Sequence, residues 1–335
     1  MSQVVSTVKD LFSIPKVGFP ILGSVQQERR CSIFGMVESG KTTILGLLEI
    51  ICIDYANRFN KPGIRDKDKF KILIEEHTSG IRQAGSELRQ GMFPIKTPPD
   101  HIFDAYFYMR FGSLFGKTIL KLPFCETAGE AFNAILEQFE NGQYILKPGT
   151  KDATLIRDYI LNTDAVALIA PVPRVLGMEK EIGAKIQHPD VNLSRLLSSI
   201  QKYKATDASL SPETAKPLRG IAVFFTKYDA ARDWLETNHM DLTTKDGRHA
   251  FMSQYFPETY AVLGWYGLDN VAFWPTGVEI EQKPNEIGKM APFLHPKNPD
   301  RGWKIKTHPK RNAPLGYYEQ PMLEFIDWLK NTVMA

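Results

Sequence analysis

The stretch that decides the fold is Gly35-Met36-Val37-Glu38-Ser39-Gly40-Lys41-Thr42. It overlaps the apolar run CSIFGMV at 31–37 and precedes a segment whose apolar residues, from Ile44 to Ile51, keep helical spacing. An apolar run, a glycine-bearing turn and an amphipathic segment together predict a strand-loop-helix unit. The turn matches G-x-x-x-x-G-K-[ST], a pattern that predicts a phosphate-binding loop when it lies between a strand and a helix.

Each residue type in this loop has a physical reason. Gly35 and Gly40 allow backbone torsions and close approach that a Cβ would block, so that successive amides can face phosphate oxygens. Lys41 would place a positive charge beside the β- and γ-phosphates, and the helix N-terminus adds its partial charge. The Thr42 hydroxyl is a suitable ligand for Mg²⁺. The loop predicts a nucleoside triphosphate, but kinases, ATPases and GTPases all share it.

Further strands and helices alternate along the rest of the chain. The period of two between 101 and 124 predicts a hairpin, and the apolar runs at 164–172, 220–225 and 270–275 predict buried parallel strands. A last apolar stripe, from Met322 to Val333, predicts a closing helix. This order is typical of an α/β fold with three layers, α/β/α, and a mostly parallel sheet with one antiparallel edge strand.

We expect an N-terminal extension at 1–27 and a single domain at 28–335, because no polar stretch separates two self-sufficient sets of elements. Loop insertions that enlarge this domain are expected near 56–96, 173–218, 231–268 and 281–316. The last of these is basic and proline-rich, and we interpret it as an irregular surface loop; the alternative is that Trp303 pins it to the body of the protein.

The composition limits the classes of partner. The chain has 335 residues and a net charge of +3, from 41 Lys and Arg against 38 Asp and Glu, which gives no reason to expect nucleic acid or a membrane surface. Cys31, Cys52 and Cys125 are too few and scattered for a disulfide framework or a zinc site. No stretch approaches the roughly 18 apolar residues of a membrane span. We therefore expect a cytoplasmic protein without a signal peptide.

A second motif follows the apolar run at 220–225. Thr226-Lys227-Tyr228-Asp229 resembles the [NT]-K-x-D guanine-specificity motif of GTPases. The Asp229 carboxylate could accept two hydrogen bonds from the ring N–H and the exocyclic amine of guanine, and adenine presents no such donor pair. The Lys227 stem would lie along the base, and Thr226 would tie this loop to the phosphate loop. Alternatively, the motif is an ordinary helix start with Asp229 as N-cap.

One strand further along, Thr276 and Gly277 stand where GTPases carry a short loop whose backbone N–H contacts the guanine O6. A plain turn at the end of a strand is the alternative interpretation.

The segment Glu126-Thr127-Ala128-Gly129-Glu130 resembles the D-T-A-G-Q segment of Ras-like GTPases. The resemblance implies that Glu126 holds Mg²⁺ through water and that the Gly129 N–H senses the γ-phosphate. Glu130 replaces the glutamine that usually orients the attacking water. Because a carboxylate cannot donate a hydrogen bond and is repelled by the phosphate, we expect slow hydrolysis without a partner, unless Glu130 swings away or acts as a base.

Thr97 is the candidate for the threonine that closes over Mg²⁺ and the γ-phosphate in Ras-like proteins. It ends an L-x-x-G-x-[WF]-P-x-x-T pattern at 88–97, which is similar to the double-GTPase group of prokaryotic Ras-like proteins. Arg82 and Arg89, just upstream, are candidates for an arginine finger in cis, and the alternative is that each is a solvated surface residue.

Together these motifs resemble a Ras-like P-loop GTPase of the TRAFAC class. The resemblance implies a switch that binds GTP or GDP, hydrolyses GTP with Mg²⁺ and meets a protein effector or activator, with a nucleotide-dependent dimer as a further option. The alternatives are a GTP-binding scaffold without catalysis, or a P-loop ATPase or kinase. The implied catalytic residues are Lys41, Thr97, Gly129 and Glu130, and the implied metal ligands are Thr42, Thr97 and Glu126. The implied nucleotide contacts are Gly35, Glu38, Ser39, Gly40, Lys41, Thr42, Thr43, Thr226, Lys227, Asp229, Thr276 and Gly277.

Overall fold

Seven strands carry the architecture of the protein. The computed structural model describes residues 29–36, 39–59, 71–74, 79–94, 103–113, 116–126, 163–178, 189–206, 217–281 and 304–333. The strands are β1 (Cys31–Gly35), β2 (Lys71–Ile74), β3 (Phe103–Ser113), β4 (Gly116–Glu126), β5 (Ala165–Pro171), β6 (Gly220–Thr226) and β7 (Val271–Thr276). Every strand predicted from the sequence is present, and β2 was not predicted.

Eight α-helices lie in the described part of the chain. They are α1 (Lys41–Phe59), α2 (Ser79–Arg89), α3 (Val172–Val175), α4 (Pro189–Thr206), α5 (Tyr228–Thr237), α6 (Lys245–Tyr255), α7 (Pro257–Tyr266) and α8 (Glu319–Trp328). Local chemistry sets several of their starts: α4 and α7 begin with proline, and the Thr244 hydroxyl caps α6 by accepting from the Gly247 N–H. None of the described helices has the length and apolar character needed to cross a bilayer.

The four apolar runs of the sequence form one parallel sheet in the order β1-β5-β6-β7. Cys31 pairs with Ala165, which in turn pairs with Gly220, so the first three strands begin at the same level. All residues of β1, β5 and β6 are buried. A continuous apolar strand is therefore explained by burial on both faces of the sheet.

Successive strand residues pack into two different clusters. Ile33 lies in the cluster formed with α1, α2 and α8, and Phe34 lies in the cluster formed with α4, α5, α6 and α7. Since neighbouring strand residues point to opposite faces, helices cover both sides of the sheet. The chain is thus a mixed α/β protein with a parallel central sheet, as the alternation of elements predicts.

The predicted hairpin is also present, but in a sheet of its own. Strands β3 and β4 are antiparallel, with Phe103 opposite Glu126 and Ser113 opposite Gly116, and β2 pairs with the outer side of β3. Strand β4 lies beside β1, yet no hydrogen-bonded ladder joins the two sheets among the described residues. The expected single sheet with one antiparallel edge strand is therefore not seen in that form.

Residues 304–318, which we call the strap, differ from the sequence interpretation. We expected an irregular surface loop up to residue 316, but the strap makes two antiparallel bridges, Ile280 with Ile305 and Thr307 with Pro314. Ile305 is buried in the cluster beneath α1 and α8. The second half of the predicted insertion is therefore packed onto the body of the protein.

Strand β7 is the outermost strand of the parallel sheet on one side. Its Phe273 carbonyl accepts a hydrogen bond of 2.7 Å from the Arg248 guanidinium, which also bonds the Leu242 and Thr243 carbonyls. Arg248 lies 3.8 Å from Glu324 of α8. One side chain thus links α6 and α8 around the exposed edge of the sheet.

Candidate functional site

The glycine-rich loop connects β1 to α1, as the sequence predicts. Strand β1 ends at Gly35 and α1 begins at Lys41, so that Ser39 and Gly40 form the approach to the helix. The Ser39 N–H donates to the Met36 carbonyl at 3.2 Å. Gly40 has φ +96°, which only glycine adopts without strain. Thr42 and Thr43 occupy the first turn of α1, and Glu38 lies outside the described residues.

Close packing explains the first glycine of the loop. A Cβ on Gly35 would lie 2.5 Å from the Ser39 hydroxyl and 2.8 Å from the Ile169 Cβ on the neighbouring strand. The Ser39 hydroxyl is buried and has no hydrogen-bond partner among the described residues. A buried polar atom without a partner is unusual in a folded protein, and here it belongs to a predicted ligand-binding residue.

The Lys41 side chain folds back over this loop. Its Nζ donates to the Gly35 carbonyl at 2.7 Å and to the Met36 carbonyl at 2.8 Å, and only 7% of the residue is exposed. The ammonium group therefore lies close to the N-terminus of α1, where the helix dipole is positive. Both features raise the electrostatic potential at the loop, which favours an anion there.

The second motif meets the phosphate loop directly. Thr226 is the last residue of β6, and its hydroxyl donates a buried hydrogen bond of 2.6 Å to the Ser39 carbonyl, across 187 residues of sequence. The predicted tie between the two loops is therefore present. Parallel strands end at the same edge of a sheet, which is where ligands bind in open α/β folds.

Lys227 has an unusual backbone conformation at the start of α5. Its φ of +59° and ψ of +31° lie in the left-handed region, which costs free energy for a residue with a Cβ. The residue is the N-cap of α5, so the alternative in which Asp229 caps this helix is wrong. Asp229 lies instead within the first turn, where its side chain turns toward the end of β7.

The Asp229 carboxylate packs against the loop that follows β7. A Cβ on Gly277 would overlap Asp229 Oδ1, and the carboxylate accepts hydrogen bonds from its own N–H and from the Val278 N–H. Burial raises the pKa of Asp229 to about 7, although these hydrogen bonds and Arg232 oppose the rise. Three predicted base-binding positions, at residues 229, 276 and 277, therefore come together.

Thr276 has a second unpartnered hydroxyl. The residue is 1% exposed, and its Oγ1 has no hydrogen-bond partner among the described residues. Thr276 pairs in register with Thr226, so both side chains point to the same face of the sheet at its carboxyl edge. Ser39 and Thr276 thus leave two buried hydroxyls unbonded, one at each side of the Thr226 tie.

The strap reaches the same place, and the sequence interpretation missed it. The Gly277 N–H donates to the Tyr317 carbonyl at 3.1 Å, and the rings of Tyr317 and Tyr228 lie 5.5 Å apart. No motif marks this segment, and the only signals were its glycine and its alternating Ile305 and Thr307.

The predicted switch residues are covered only in part. Glu126 is the last residue of β4, and Thr97, Gly129 and Glu130 lie outside the described residues. The arrangement of Thr42, Thr97 and Glu126 around a metal ion therefore stays a prediction. In the described ranges, no group of three His, Cys, Asp or Glu side chains is placed to hold a metal ion.

The two arginine candidates lie on α2, against α1. Arg89 makes an ion pair of 3.4 Å with Asp54 and approaches the Ile50 carbonyl. Asp54 is 13 residues beyond Lys41, which is about 20 Å along a helix. Arg89 is therefore paired with a part of α1 that is distant from the phosphate loop. This argues against a role as arginine finger in this conformation. Arg82 is exposed on the same helix.

The chain was also compared with known proteins. No protein-family model matches it, and no curated protein matches it at a significant level.

Proposed function

We propose that the protein is a guanine-nucleotide-binding switch that hydrolyses GTP to GDP and phosphate with Mg²⁺. The single observation that carries this proposal is the hydrogen bond from Thr226 to Ser39, because it joins the two motifs that the function requires. A chance glycine-rich turn and a chance helix start would have no reason to meet through a buried hydrogen bond.

The phosphate side fits an anionic ligand. Gly35 and Gly40 leave no Cβ over the loop, and Lys41 adds a positive charge beside the N-terminus of α1. The Ser39 hydroxyl has no partner in the described part of the chain, but the residue is fully buried, so the loop would have to open before this hydroxyl could donate to a phosphate. These groups would bind the phosphates, and Lys41 would offset the negative charge that shifts between oxygens during phosphoryl transfer.

The base side fits guanine better than adenine. When ionised, the Asp229 carboxylate can accept from two neighbouring donors at once, and guanine presents such a pair. The unpartnered Thr276 hydroxyl lies at the same edge of the sheet and could bond a further polar atom of the base. Gly277 is required here because any side chain would occupy the space of Asp229.

A magnesium ion fits the phosphate side through hydroxyl chemistry. Thr42 lies in the first turn of α1, and a hydroxyl oxygen is a ligand type that Mg²⁺ accepts together with phosphate oxygens and water. When bound, the ion would neutralise charge on the β- and γ-phosphates. Thr97 and Glu126 are the proposed further ligands of the chain.

The same proposal extends to the fold. We infer a three-layer P-loop GTPase fold at 28–335, in which β4 beside β1 joins the hairpin to the parallel sheet. The order β1-β5-β6-β7, with the phosphate loop after β1, supports this inference.

The test is base selectivity in purified protein. We expect GTP and GDP to bind tightly and ATP to compete poorly when each displaces a fluorescent GDP analogue. Asp229→Asn should shift the preference toward xanthine nucleotides, since the amide can donate where the carboxylate accepts. Asp233→Asn on the exposed face of α5 is the matched control. Equal competition by ATP in the wild-type protein would refute guanine recognition.

A GTP-binding scaffold without catalysis is the second candidate function. The observation that favours it is the pair of replacements Glu126 and Glu130 in the segment that resembles D-T-A-G-Q. Phosphate release in a single turnover separates the two functions. A rate above that of free GTP supports the switch, and a rate that stays at that of free GTP with every plausible partner protein supports the scaffold.

A further inference from the structure

The strap contacts the loop that follows β7, residues 277–279, which we call the β7 loop. The Gly277 N–H donates to the Tyr317 carbonyl at 3.1 Å, and the Glu279 N–H donates to the Leu315 carbonyl at 2.7 Å. The amides of two alternate residues of this loop are therefore bonded by the strap. Backbone hydrogen bonds of this kind fix the position of a segment, since breaking them leaves polar groups unpaired.

Gly316 makes this contact possible. Its φ of +146° lies in the region that favours glycine, and a Cβ at this position would overlap the Gly277 carbonyl. The same Cβ would lie 2.7 Å from the Val278 Cα. A side chain at residue 316 would therefore push the strap away from the β7 loop.

The β7 loop in turn holds Asp229. Gly277 touches the carboxylate, and the Val278 N–H donates to it. The strap therefore contacts the β7 loop, and the β7 loop contacts the Asp229 carboxylate. Any displacement of the strap moves the surface against which the Asp229 carboxylate rests.

The other end of the strap, at Ile305, is hydrogen bonded to the segment after α2. The Ile305 N–H donates to the Gly91 carbonyl at 2.8 Å, and a Cβ on Gly91 would lie 2.8 Å from the Ile305 carbonyl oxygen. Gly91 has φ +76°, so this approach also depends on glycine. The chain continues from Gly91 toward Thr97, the candidate switch threonine.

Two anchors hold the strap itself in place. The Tyr318 hydroxyl, at the start of α8, donates to the Pro314 carbonyl at 2.9 Å in a buried position. Ile305 is 2% exposed within the core cluster beneath α1. Tyr318 is buried in the same cluster, so the strap is tied to the core at both of its ends.

We propose that the strap, residues 304–318, is a positioning element for base recognition: it holds the β7 loop against Asp229 and links that loop to the segment leading to Thr97. This inference rests on the proposed guanine-nucleotide function. It assigns Gly316 and Tyr317 the role of slowing nucleotide release, although neither needs to touch the nucleotide. The atoms nearest to a Cβ at Gly316 belong to Gly277 and Val278 rather than to the phosphate loop, so we expect phosphate binding to be unaffected.

The test compares two ligands in the full-length protein. Gly316→Ala should release a fluorescent GDP analogue about tenfold faster, because a weakened backbone contact no longer holds the base side. Its affinity for inorganic tripolyphosphate, which occupies the phosphate loop alone, should stay within about twofold of the wild type. Gly264→Ala is the matched control, since no atom lies within 4 Å of a Cβ there.

A second, milder variant protects the test against misfolding. Tyr317→Ala removes the ring that packs on Tyr228 and leaves the backbone carbonyl in place. We expect a smaller acceleration of GDP release, again with unchanged tripolyphosphate affinity. A thermal melt of each variant confirms that it is folded.

The outcomes separate the strap from the function on which it rests. Faster GDP release with unchanged tripolyphosphate binding supports the strap, and unchanged release in both variants overturns it. Equal loss of both ligands also overturns it, because that pattern is general destabilisation. Wild-type protein that binds tripolyphosphate but not GDP would instead refute guanine recognition, and the strap role would fall with it.

Discussion

The two ends of the parallel sheet are built in opposite ways. At the amino end, Asp164 accepts from the Arg30 N–H at 2.9 Å and has Arg29 and Arg219 at 3.7 and 4.0 Å, so a single carboxylate is surrounded by positive groups. At the carboxyl end, Ser39 and Thr276 keep buried hydroxyls unbonded. The first end is held by this charge cluster, although Arg29 Nε and the Ser32 hydroxyl also lack partners there among the described residues, whereas the unbonded hydroxyls of the second end lie beside the phosphate loop and the Thr226 motif.

We infer from this difference that folding stability depends mainly on the amino end of the parallel sheet and ligand binding mainly on its carboxyl end. Substitutions at the amino end should change the free energy of unfolding and leave ligand affinity alone. Substitutions at the carboxyl end should change ligand affinity most.

The largest effect is expected for Lys41→Ala at the carboxyl end. The variant loses the ammonium group that bonds the loop carbonyls at 2.7 and 2.8 Å and would meet the phosphates. We expect the affinity for GDP to fall by about a thousandfold, which is about 4 kcal/mol. Isothermal titration calorimetry measures this loss, with exposed Lys245→Ala as the control. Unchanged affinity would mean that the loop does not bind phosphate.

Asp164→Ala tests the amino end. Removing the carboxylate leaves the Arg30 N–H and two guanidinium groups without this acceptor, so we expect the free energy of unfolding to fall by about 2 kcal/mol. Urea denaturation measures the fall, and Asp233→Ala on the surface of α5 is the control. GDP affinity of the folded variant should stay unchanged, and a large loss of affinity would contradict the separation of the two ends.

The pH dependence of binding sharpens the comparison through Asp229. Its pKa is raised by burial to about 7 in the ligand-free protein, while guanine recognition requires the ionised carboxylate. The ionised fraction rises from about one tenth at pH 6 to about nine tenths at pH 8, so GDP affinity should rise about tenfold over this range.

The raised pKa of Asp229 has the opposite effect on the free energy of unfolding, which should fall as the pH rises. Because the folded protein holds the Asp229 proton more tightly than the unfolded chain, the stability contributed by protonation is lost as pH rises from about 4 through about 7. Asp229→Asn should remove both dependences. Titrations of GDP at several pH values, repeated with this variant, test the assignment, and an identical pH profile in Asp229→Asn would exclude it.

Thr226→Val should give the smallest effect. The substitution keeps the shape of the residue but removes the hydrogen bond of 2.6 Å to Ser39. Loss of this bond frees the phosphate loop from β6, and we expect GDP affinity to fall about fivefold, which is about 1 kcal/mol. Thr237→Val, on the exposed end of α5, is the control. An unchanged affinity would show that the tie does not matter for the ligand.

The sequence predicted the parallel sheet well because the pattern is local. A strand buried on both faces must be apolar throughout, and a covering helix must carry an apolar stripe, so β5, β6 and α8 are visible without any knowledge of their partners. The phosphate loop and the Thr226 motif were found for a related reason, since their chemistry requires fixed residue types at fixed spacing.

The strap could not be predicted in the same way. Its contacts with Gly277 and Gly91 are made by backbone atoms, and backbone bonding leaves little trace in residue type. The separation of β2, β3 and β4 from the parallel sheet was missed for a similar reason, because hairpin periodicity defines strands but not which sheet they join.

The Arg248 guanidinium beside β7 also affects whether two copies of the chain can associate through this strand. An uncovered sheet edge offers a row of free backbone groups to which a strand from another molecule can add. In β7, the Phe273 carbonyl is already bonded by Arg248, whose charge is held near Glu324. Strand addition there would have to displace a charged side chain with several bonds. The sheet of one copy should therefore not extend across β7 into a second copy.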